Sequence, residues 1–512
     1  MTKDYFLGIE LGSTRIKAVA VDENHIPVAS GDYTWKSTYE NGIWTYDLAE
    51  VWQGLKAALS GVENRENIAA MGISGMMHGY LAFDEDWNLL TPFRTWQNTI
   101  TGQAAEELTA LFGFNIPQRW SIAHLYQAIL NNEEHISQIA HITTLAGYVH
   151  YMLTGVNAIG IGEASGMFPI DSEENCYDTE MLRKFDQLTA RMELPWAHLA
   201  DILPGVLLAG ETAGTLTDAG AAMLDHLLSP SIPFAPAEGD AGTGMTATNS
   251  VEVYTGNVSA GTSDFAMIVV DHMPGVHREL DMVTTPAGLP VAMVHCNNCT
   301  SDINAWAGLF RDFADRAGVP LTDDALYSLL FSVALEGDKD CGGLLSYNYF
   351  SGEGVTDVDE GRPVFLRQPD AKITLPNFMR THLLSALATL KIGLDLLTDK
   401  ENIRIDKLYG HGGFFKTAEA GQRMLSAAVG APVSVMQTAN NGGPYGMALL
   451  AAYCLNKKDG QTLEDYLETE VFADVQSVTL MADEDDIAGF DKFLERYKNA
   501  FPVEKAAIEF LH

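Results

Sequence analysis

Hydrophobic positions along this chain follow two rhythms. Short apolar runs close on glycine and hydroxyl residues, and longer stretches repeat an apolar residue every three or four positions. The first rhythm predicts strands and the second amphipathic helices. Near the start, Phe6, Leu7 and Ile9 lead into Gly12-Ser13-Thr14, and Ile16, Ala18, Val19, Ala20 and Val21 follow, which predicts a hairpin. Midway, Val253 and Val258 lead into Gly261-Thr262-Ser263, and Phe265, Met267, Ile268 and Val269 follow. The same grammar, returning about half a chain later, predicts two domains of one topology, each opening with the same hairpin. Helical periodicity marks Leu48 to Leu59, Thr101 to Phe112, Trp120 to Asn131, Pro376 to Leu397 and Thr417 to Val429. Pro376 suits a first helical turn, where its missing N–H costs nothing. Further strands are expected at Ala69 to Ile73, Leu408 to Gly410 and Val433 to Met436. This mixture predicts an α/β protein with packed sheets. The glycine- and threonine-rich GDAGTGMTATNS suits a hinge near residues 245–252, dividing 1–247 from 248–512. The acidic run Asp483-Glu484-Asp485-Asp486 and the stretch Phe490 to Asn499 read as solvated periphery.

The length of 512 residues allows two to four domains, and 47% hydrophobic against 19% charged residues excludes global disorder. The first residues lack the h-region of a signal peptide, and no apolar run approaches the ~18 residues of a membrane span. A soluble, cytoplasmic protein is expected. Five cysteines form an odd, scattered set, as free thiols in a reducing compartment do. Cys296 and Cys299 make one CxxC beside His295. A zinc site would need a fourth ligand and a redox site a thioredoxin-like context, so the pair reads as structural. The formal net charge of −37 excludes nucleic acid and anionic membrane as partners. An anionic nucleotide could bind only through backbone N–H groups, a divalent cation and a few placed bases.

Three glycine- and hydroxyl-rich turns follow apolar runs: Gly12-Ser13-Thr14, Gly261-Thr262-Ser263 and Gly410-His411-Gly412-Gly413. Small residues let backbone N–H groups approach phosphate oxygens, although taken singly each is also an ordinary turn. Lys416 follows the third, and Thr417 is a candidate N-cap. Asp240, between Gly239 and Ala241-Gly242 at the expected junction, could take the proton of an attacking hydroxyl; alternatively it caps a turn. Met76-Met77-His78-Gly79 ends a strand with polarizable side chains and an imidazole, which suits a sugar pocket, or equally a core with a satisfied histidine.

In this order the pieces resemble the FGGY carbohydrate kinases of the actin-like ATPase superfamily, the xylulokinase branch most closely, from Leu7 to about Tyr453. GIELGSTRIKAVAVDENH is similar to the opening G-I-D-x-G-T-[TS]-x-x-K-A, and GIWTYDLAEVW to G-W-x-E-q-D-P…W. GISGMMHG is similar to G-x-S-G-Q-M-H-G, TWQN to W-n-D, and LAGYVHYMLTG to D-Y-l…r-L-T-G. LPGVLLAGETAGTLT, EGDAGTGM, SAGTS, YGHGGFFKT and YGMALLAAY resemble the later family blocks.

The resemblance implies two similar actin-like ATPase (ribonuclease H-like) domains around a central cleft, an N-terminal sugar-binding domain and a C-terminal nucleotide-binding domain. It implies ATP-dependent phosphorylation of a small sugar with Mg²⁺, most closely a ketopentose. Asp240 would be the catalytic base and, with Glu10 in the place of the family's aspartate, would hold the metal. Met77, His78, Trp96, Asn98 and Asp240 would meet the sugar. Gly12, Ser13, Thr14, Lys17, Gly261, Thr262, Gly412, Gly413 and Lys416 would meet the nucleotide. Partners would be the sugar and ATP, with a homodimer left open. The departures are Asn98-Thr99-Ile100 for D-x-R, Ile159 to Ser165 without T-D-x-S, Leu384 to Leu390 without R-A-x-x-E-G, and Asn440-Asn441 for a glutamate. They keep other readings alive: a kinase of another ketose, a polyol or a sugar acid, or a catalytically weak sugar-binding regulatory relative.

Overall fold

The computed structural model describes residues 4–436 and 442–511. Asn440 and Asn441, named above as a departure, lie outside the described residues. The chain forms two compact units. The first comprises Met1–Glu252, Asp281–Val291 and Asn441–Asp474; the second comprises Val253–Leu280, Ala292–Asn440 and Val475–His512. The chain first passes from one unit to the other after Glu252, and two later segments return to the first unit.

In the first unit, β1 (Tyr5–Leu11), β2 (Arg15–Val21), β3 (Pro27–Thr34), β4 (Ile68–Gly75) and β5 (Glu238–Gly239) form one sheet in the order β5-β4-β1-β2-β3. β1 runs antiparallel to β2 and parallel to β4, and β5 runs parallel to β4. β1 and β4 are buried on both faces, hence their unbroken apolar runs, whereas β3 alternates exposed and half-buried residues as an edge strand does. In the second unit, β6 (Thr255–Ala260), β7 (Asp264–Val269), β8 (Pro290–Cys296), β9 (Lys407–His411), β10 (Val433–Met436) and β11 (Ser477–Leu480) lie in the order β8-β7-β6-β9-β10-β11. Their hairpin β6-β7 is antiparallel, and β9 joins β6 in parallel. The sequence β3-β2-β1-β4-β5 thus recurs as β8-β7-β6-β9-β10. The duplicated hairpin seen in sequence is the visible end of a duplicated sheet.

The helix Gly442–Asn456 lies directly on the first sheet, and glycines make this close approach possible. A Cβ at Gly8 would stand 2.0 Å from the Pro444 carbonyl oxygen and 2.4 Å from the Ala448 nitrogen. One at Gly446 would stand 1.9 Å from the Thr243 carbonyl oxygen. The segment 442–474 therefore belongs to the first unit by packing, whatever its position in the chain.

In the second unit the helix Leu375–Asp395 is almost wholly buried and carries Arg380 at 0% exposure. Its partner is Asp486, also at 0% exposure, at 2.5 Å from the guanidinium. Lys339 approaches the same carboxylate at 2.7 Å and Arg423 at 3.3 Å. The acidic run is thus not all solvated periphery. Asp483 caps the helix Glu484–Phe510, whose Phe490, Phe493, Leu494 and Tyr497 are buried. Only helical phase separates the exposed acids from the buried one, and that phase depends on where the helix starts. Among the described residues, no helix is long and apolar enough to cross a membrane.

Removing Asp486 would leave Arg380 buried and unpaired, so Asp486→Ala should cost about 3–5 kcal/mol. Burial pushes the Asp486 carboxyl up, but hydrogen bonds and charge from Lys339 and Arg380 outweigh it and hold it below its ordinary value. A depressed carboxylate stabilises above its unfolded pKa near 4 and loses that contribution as pH falls through its folded value. Thermal melts should therefore give a large gap between wild type and Asp486→Ala at neutral pH that narrows below about pH 4. A gap that stays constant with pH would contradict this role.

Candidate functional site

The carboxyl ends of β1, β4 and β5 lie together because the three strands are parallel, and ligand sites in open sheets gather at such ends. The register there aligns Lys17 of β2, Glu10 of β1, Ser74 of β4 and Glu238 of β5 in one row. Asp240 follows immediately, as the first residue of the helix Asp240–Ala247. Ser74 Oγ lies 3.0 Å from Thr243 Oγ1 on that helix, which fixes the helix to the row. Burial and the Asp240 charge raise the Glu10 carboxyl to about 7, against the pull of Lys17. The Asp240 side chain reaches solvent, yet surrounding protein still raises its pKa. The N–H groups of Met77 and Ala241, its own N–H, and the Arg119 charge act in the opposite direction.

Two acids that sequence reading missed are buried at this end of the sheet. Glu238, in the row itself, is 1% exposed, and Glu163 is fully buried. The Glu163 N–H donates to Glu238 Oε2 at 3.0 Å. Burial, opposed by backbone N–H groups, raises the Glu238 carboxyl to about 8, and burial raises Glu163 strongly. A Cβ at Gly160 would stand 2.0 Å from Glu238 Oε1, and one at Gly239 2.6 Å from Glu163 Oε2. Glycines thus make the room that the carboxyl pair fills. The signal in the sequence was a glutamate two residues before Asp240 in an apolar setting; the spacing alone does not show that it points inward.

The loop after β4 carries Met77 and His78. The Met77 N–H donates to Asp240 Oδ1 at 3.2 Å. His78 and Gly79 take φ of 70° and 87° in succession, a turn strained for histidine. Neighbours hold it there. His78 Nδ1 lies 3.2 Å from the Gly166 carbonyl oxygen, and its ring stacks on Trp120 at 6.2 Å between centroids. The Gly79 N–H donates to the Arg119 carbonyl at 3.1 Å, and Ser121 Oγ donates to the Gly79 carbonyl at 2.5 Å. Trp96 is 38% exposed.

Asn98 does not present its amide as a sugar contact in this structure. It is 2% exposed, its Oδ1 accepts from the Trp44 N–H at 2.8 Å, and its Nδ2 donates to the carbonyls of Trp44 and Thr95. Its hydrogen-bonding capacity is spent on bracing two backbone segments, and Ile100, two residues on, is exposed.

Each unit carries glycine turns of the kind singled out in the sequence. On the first, the Gly12 N–H donates to the Arg15 carbonyl at 3.0 Å. Trp35 Nε1 and the Tyr46 hydroxyl donate to the carbonyls of Gly12 and Ser13, each at 2.7 Å, while Ser13 and Thr14 are exposed. On the second, parallel pairing of β6 and β9 through Ser259 and His411 sets the turns at 261–263 and 412–413 side by side. Gly412 has φ of 98°, and a Cβ there would stand 2.4 Å from the Ala260 carbonyl oxygen. Gly413 faces open space, and Thr262 and Lys416 are exposed. Thr417 is not the N-cap: the following helix is Ala420–Val429, with Glu419 at its cap position. The CxxC loop buttresses this cradle. The Cys299 N–H donates to the Thr262 carbonyl and the Thr300 N–H to the Gly261 carbonyl, both at 2.9 Å. Both thiols are buried, and burial pushes them well above their ordinary value.

Residues 5–246 match the model of the FGGY family of carbohydrate kinases, N-terminal domain, and residues 256–455 that of its C-terminal domain. Xylulose kinase of Staphylococcus xylosus is 20% identical over 196 residues, 36% of this chain and 40% of that protein. Xylulose kinase of Escherichia coli is 23% identical over 275 residues, 50% of this chain and 53% of that protein. In these matches the chain spans about half the length of its curated relatives or less. The crystal structure of gluconate kinase from Lactobacillus acidophilus superposes with a TM-score of 0.80 at 17% identity, covering 98% of each chain. This likeness establishes the two-unit α/β fold.

The geometry of Asn98 gives a direct test. Asn98→Ala should lower stability by about 1–3 kcal/mol, because the Trp44 and Thr95 backbone groups lose their buried partner. It should leave the KM for any sugar substrate unchanged. An unmoved melting temperature with a raised sugar KM would return Asn98 to the pocket.

Proposed function

Since the chain belongs to the FGGY family of carbohydrate kinases, we propose that it transfers the γ-phosphate of ATP to a hydroxyl of a small neutral sugar, most closely a ketopentose. The observation that carries this reading is the Met77 N–H to Asp240 Oδ1 hydrogen bond. It ties the candidate base to the candidate sugar loop, so that a hydroxyl resting on Met77 and His78 is within reach of the carboxylate. Asp240 takes the hydroxyl proton as the sugar oxygen bonds to Pγ and the bond from Pγ to the β,γ-bridging oxygen breaks, releasing ADP. Its raised pKa makes it a better acceptor for that proton. Within the first unit, Ser13 and Thr14 offer N–H and hydroxyl donors suited to phosphate oxygens; taken by itself, the second unit offers N–H, hydroxyl and ammonium donors at Gly261, Thr262, Gly412, Gly413 and Lys416. Lys17 acts on Glu10 across the hairpin.

Glu10 and Asp240 suit Mg²⁺. They are oxygen donors, close enough that the Asp240 charge raises the Glu10 carboxyl, and Mg²⁺ commonly needs only one or two carboxylates beside phosphates and water. Bound there, the ion would neutralise charge on the phosphates. At the mouth of this corner the Arg119 charge is paired with Asp281 and lies beside Asp240. No surplus positive charge is left there for a substrate carboxylate, which favours a neutral sugar over a sugar acid of the kind the gluconate kinase is named for.

A coupled ADP-release assay over ketoses, polyols and aldonates should give the highest kcat/KM with a ketopentose. Asp240→Asn should lower kcat on that sugar by about 100-fold or more, with little effect on folding. Near-normal turnover in the folded variant would remove Asp240 from the mechanism, and an aldonate as best substrate would overturn the neutral-sugar reading.

A further inference from the structure

Arg119 occupies the corner shared by the sugar loop and Asp240. Its own carbonyl clips Gly79, and its neighbours Trp120 and Ser121 hold His78 and Gly79. Its guanidinium acts on Asp240, lowering that carboxyl. The side chain is fixed by an acidic partner. Nη2 donates to Asp281 Oδ2, and Asn115 Nδ2 donates to Asp281 Oδ1 at 3.1 Å. Asp281 is 8% exposed and belongs to the segment Asp281–Val291, which the chain returns to the first unit. Only one edge of the planar guanidinium is spent on this pair. Nε and Nη1 are not among the buried atoms lacking a partner, and the side chain is 23% exposed. These donors therefore reach solvent.

Resting on the kinase reading above, we infer that Arg119, held by Asp281 and Asn115, determines substrate specificity by donating hydrogen bonds to oxygens of the acceptor sugar beside Asp240. A guanidinium pinned along one edge is pre-organised, so little side-chain entropy is lost when the other edge binds. Asp281 also takes up its charge. The corner then offers charge-assisted donors to hydroxyl or carbonyl oxygens without the net positive charge that would draw in a substrate carboxylate. Lysine could not fill this place, because its single ammonium cannot serve Asp281 and the sugar with two opposite edges.

The test compares wild type, Arg119→Ala, Arg119→Lys and Asp281→Asn, with thermal melts as folding controls. On the best sugar, Arg119→Ala should raise the sugar KM about 10- to 100-fold, the effect of losing one or two charge-assisted hydrogen bonds. The KM for MgATP should stay put. Arg119→Lys should fall between, and millimolar guanidinium ion should restore part of the loss in Arg119→Ala. Asp281→Asn releases the Arg119 charge, so it should raise kcat/KM for the aldonate of matching chain length relative to the neutral sugar. A sugar KM within twofold of wild type in folded Arg119→Ala, or an equal rise in both KM values, overturns the specificity role and leaves the kinase reading standing. An unchanged aldonate-to-sugar ratio in Asp281→Asn overturns the neutralising role of Asp281. Absence of sugar-dependent ADP release from the wild type overturns both readings.

Discussion

Four carboxyl groups, Glu10, Glu163, Glu238 and Asp240, gather at one end of the first sheet, and the local structure is organised around that concentration of negative charge. Like charges in a desolvated space cannot all ionise, so protons are retained and the group titrates as a coupled set. Burial raises all four. The result is graded: Glu163 and Glu238, deepest and packed against glycines, carry the strongest tendency to stay neutral, while Asp240 opens to solvent and is eased by backbone N–H groups. Lys17 and Arg119 moderate the outer members from opposite sides. A site built this way holds an acceptor for protons and cations at its mouth and an uncharged floor beneath it.

What the sequence made legible follows from how local each feature is. The hairpins at Gly12 and Gly261, the helix Leu48–Ser60 and the strand Val433–Met436 depend on near neighbours, and their apolar rhythm displays them. Asp240 could be singled out because glycines flank it at a junction. The bracing role of Asn98 is not visible in sequence, because its partner Trp44, 54 positions away, meets it only after the chain has folded. Glu163 and Glu238 stand 75 positions apart in the chain and become one feature only through packing. The helix Gly442–Asn456 announces by its apolar residues that it is buried, yet nothing in its pattern says against which sheet. The glycines that decide this, Gly8 and Gly446, are far apart in sequence.

The large negative charge of the chain bears on the nucleotide side in the same way. With 68 acids against 31 bases, long-range attraction cannot gather a triphosphate, so binding has to come from short-range donors. The donors the second unit offers are backbone groups rather than cations. Two glycine turns abut at the ends of neighbouring strands, one of them possible only because Gly412 lacks a Cβ, and the buried CxxC loop fixes the carbonyls of the other. Lys416 is the single base adjoining them in sequence.

Duplication explains why these two chemistries sit on equivalent scaffolds. Both sheets present a hairpin turn after their central strand and a parallel neighbour beside it. In the first unit the neighbouring strand β4 leads into the Met77-His78 loop, and β5 delivers Glu238 and then Asp240. In the second, β9 leads into Gly412-Gly413. The strand ends are the same and the residues placed on them differ, acids with a methionine and a histidine in one case, glycines and hydroxyls in the other. Strand order is set by the cores, which are apolar in both units and indifferent to what lies past the last hydrogen-bonded pair. The loops were therefore free to diverge in charge without cost to the sheets. At Glu10 and Glu238 the acidic chemistry enters the strands of the first unit themselves, and there the accommodation is made in Gly160, Gly162 and Gly443.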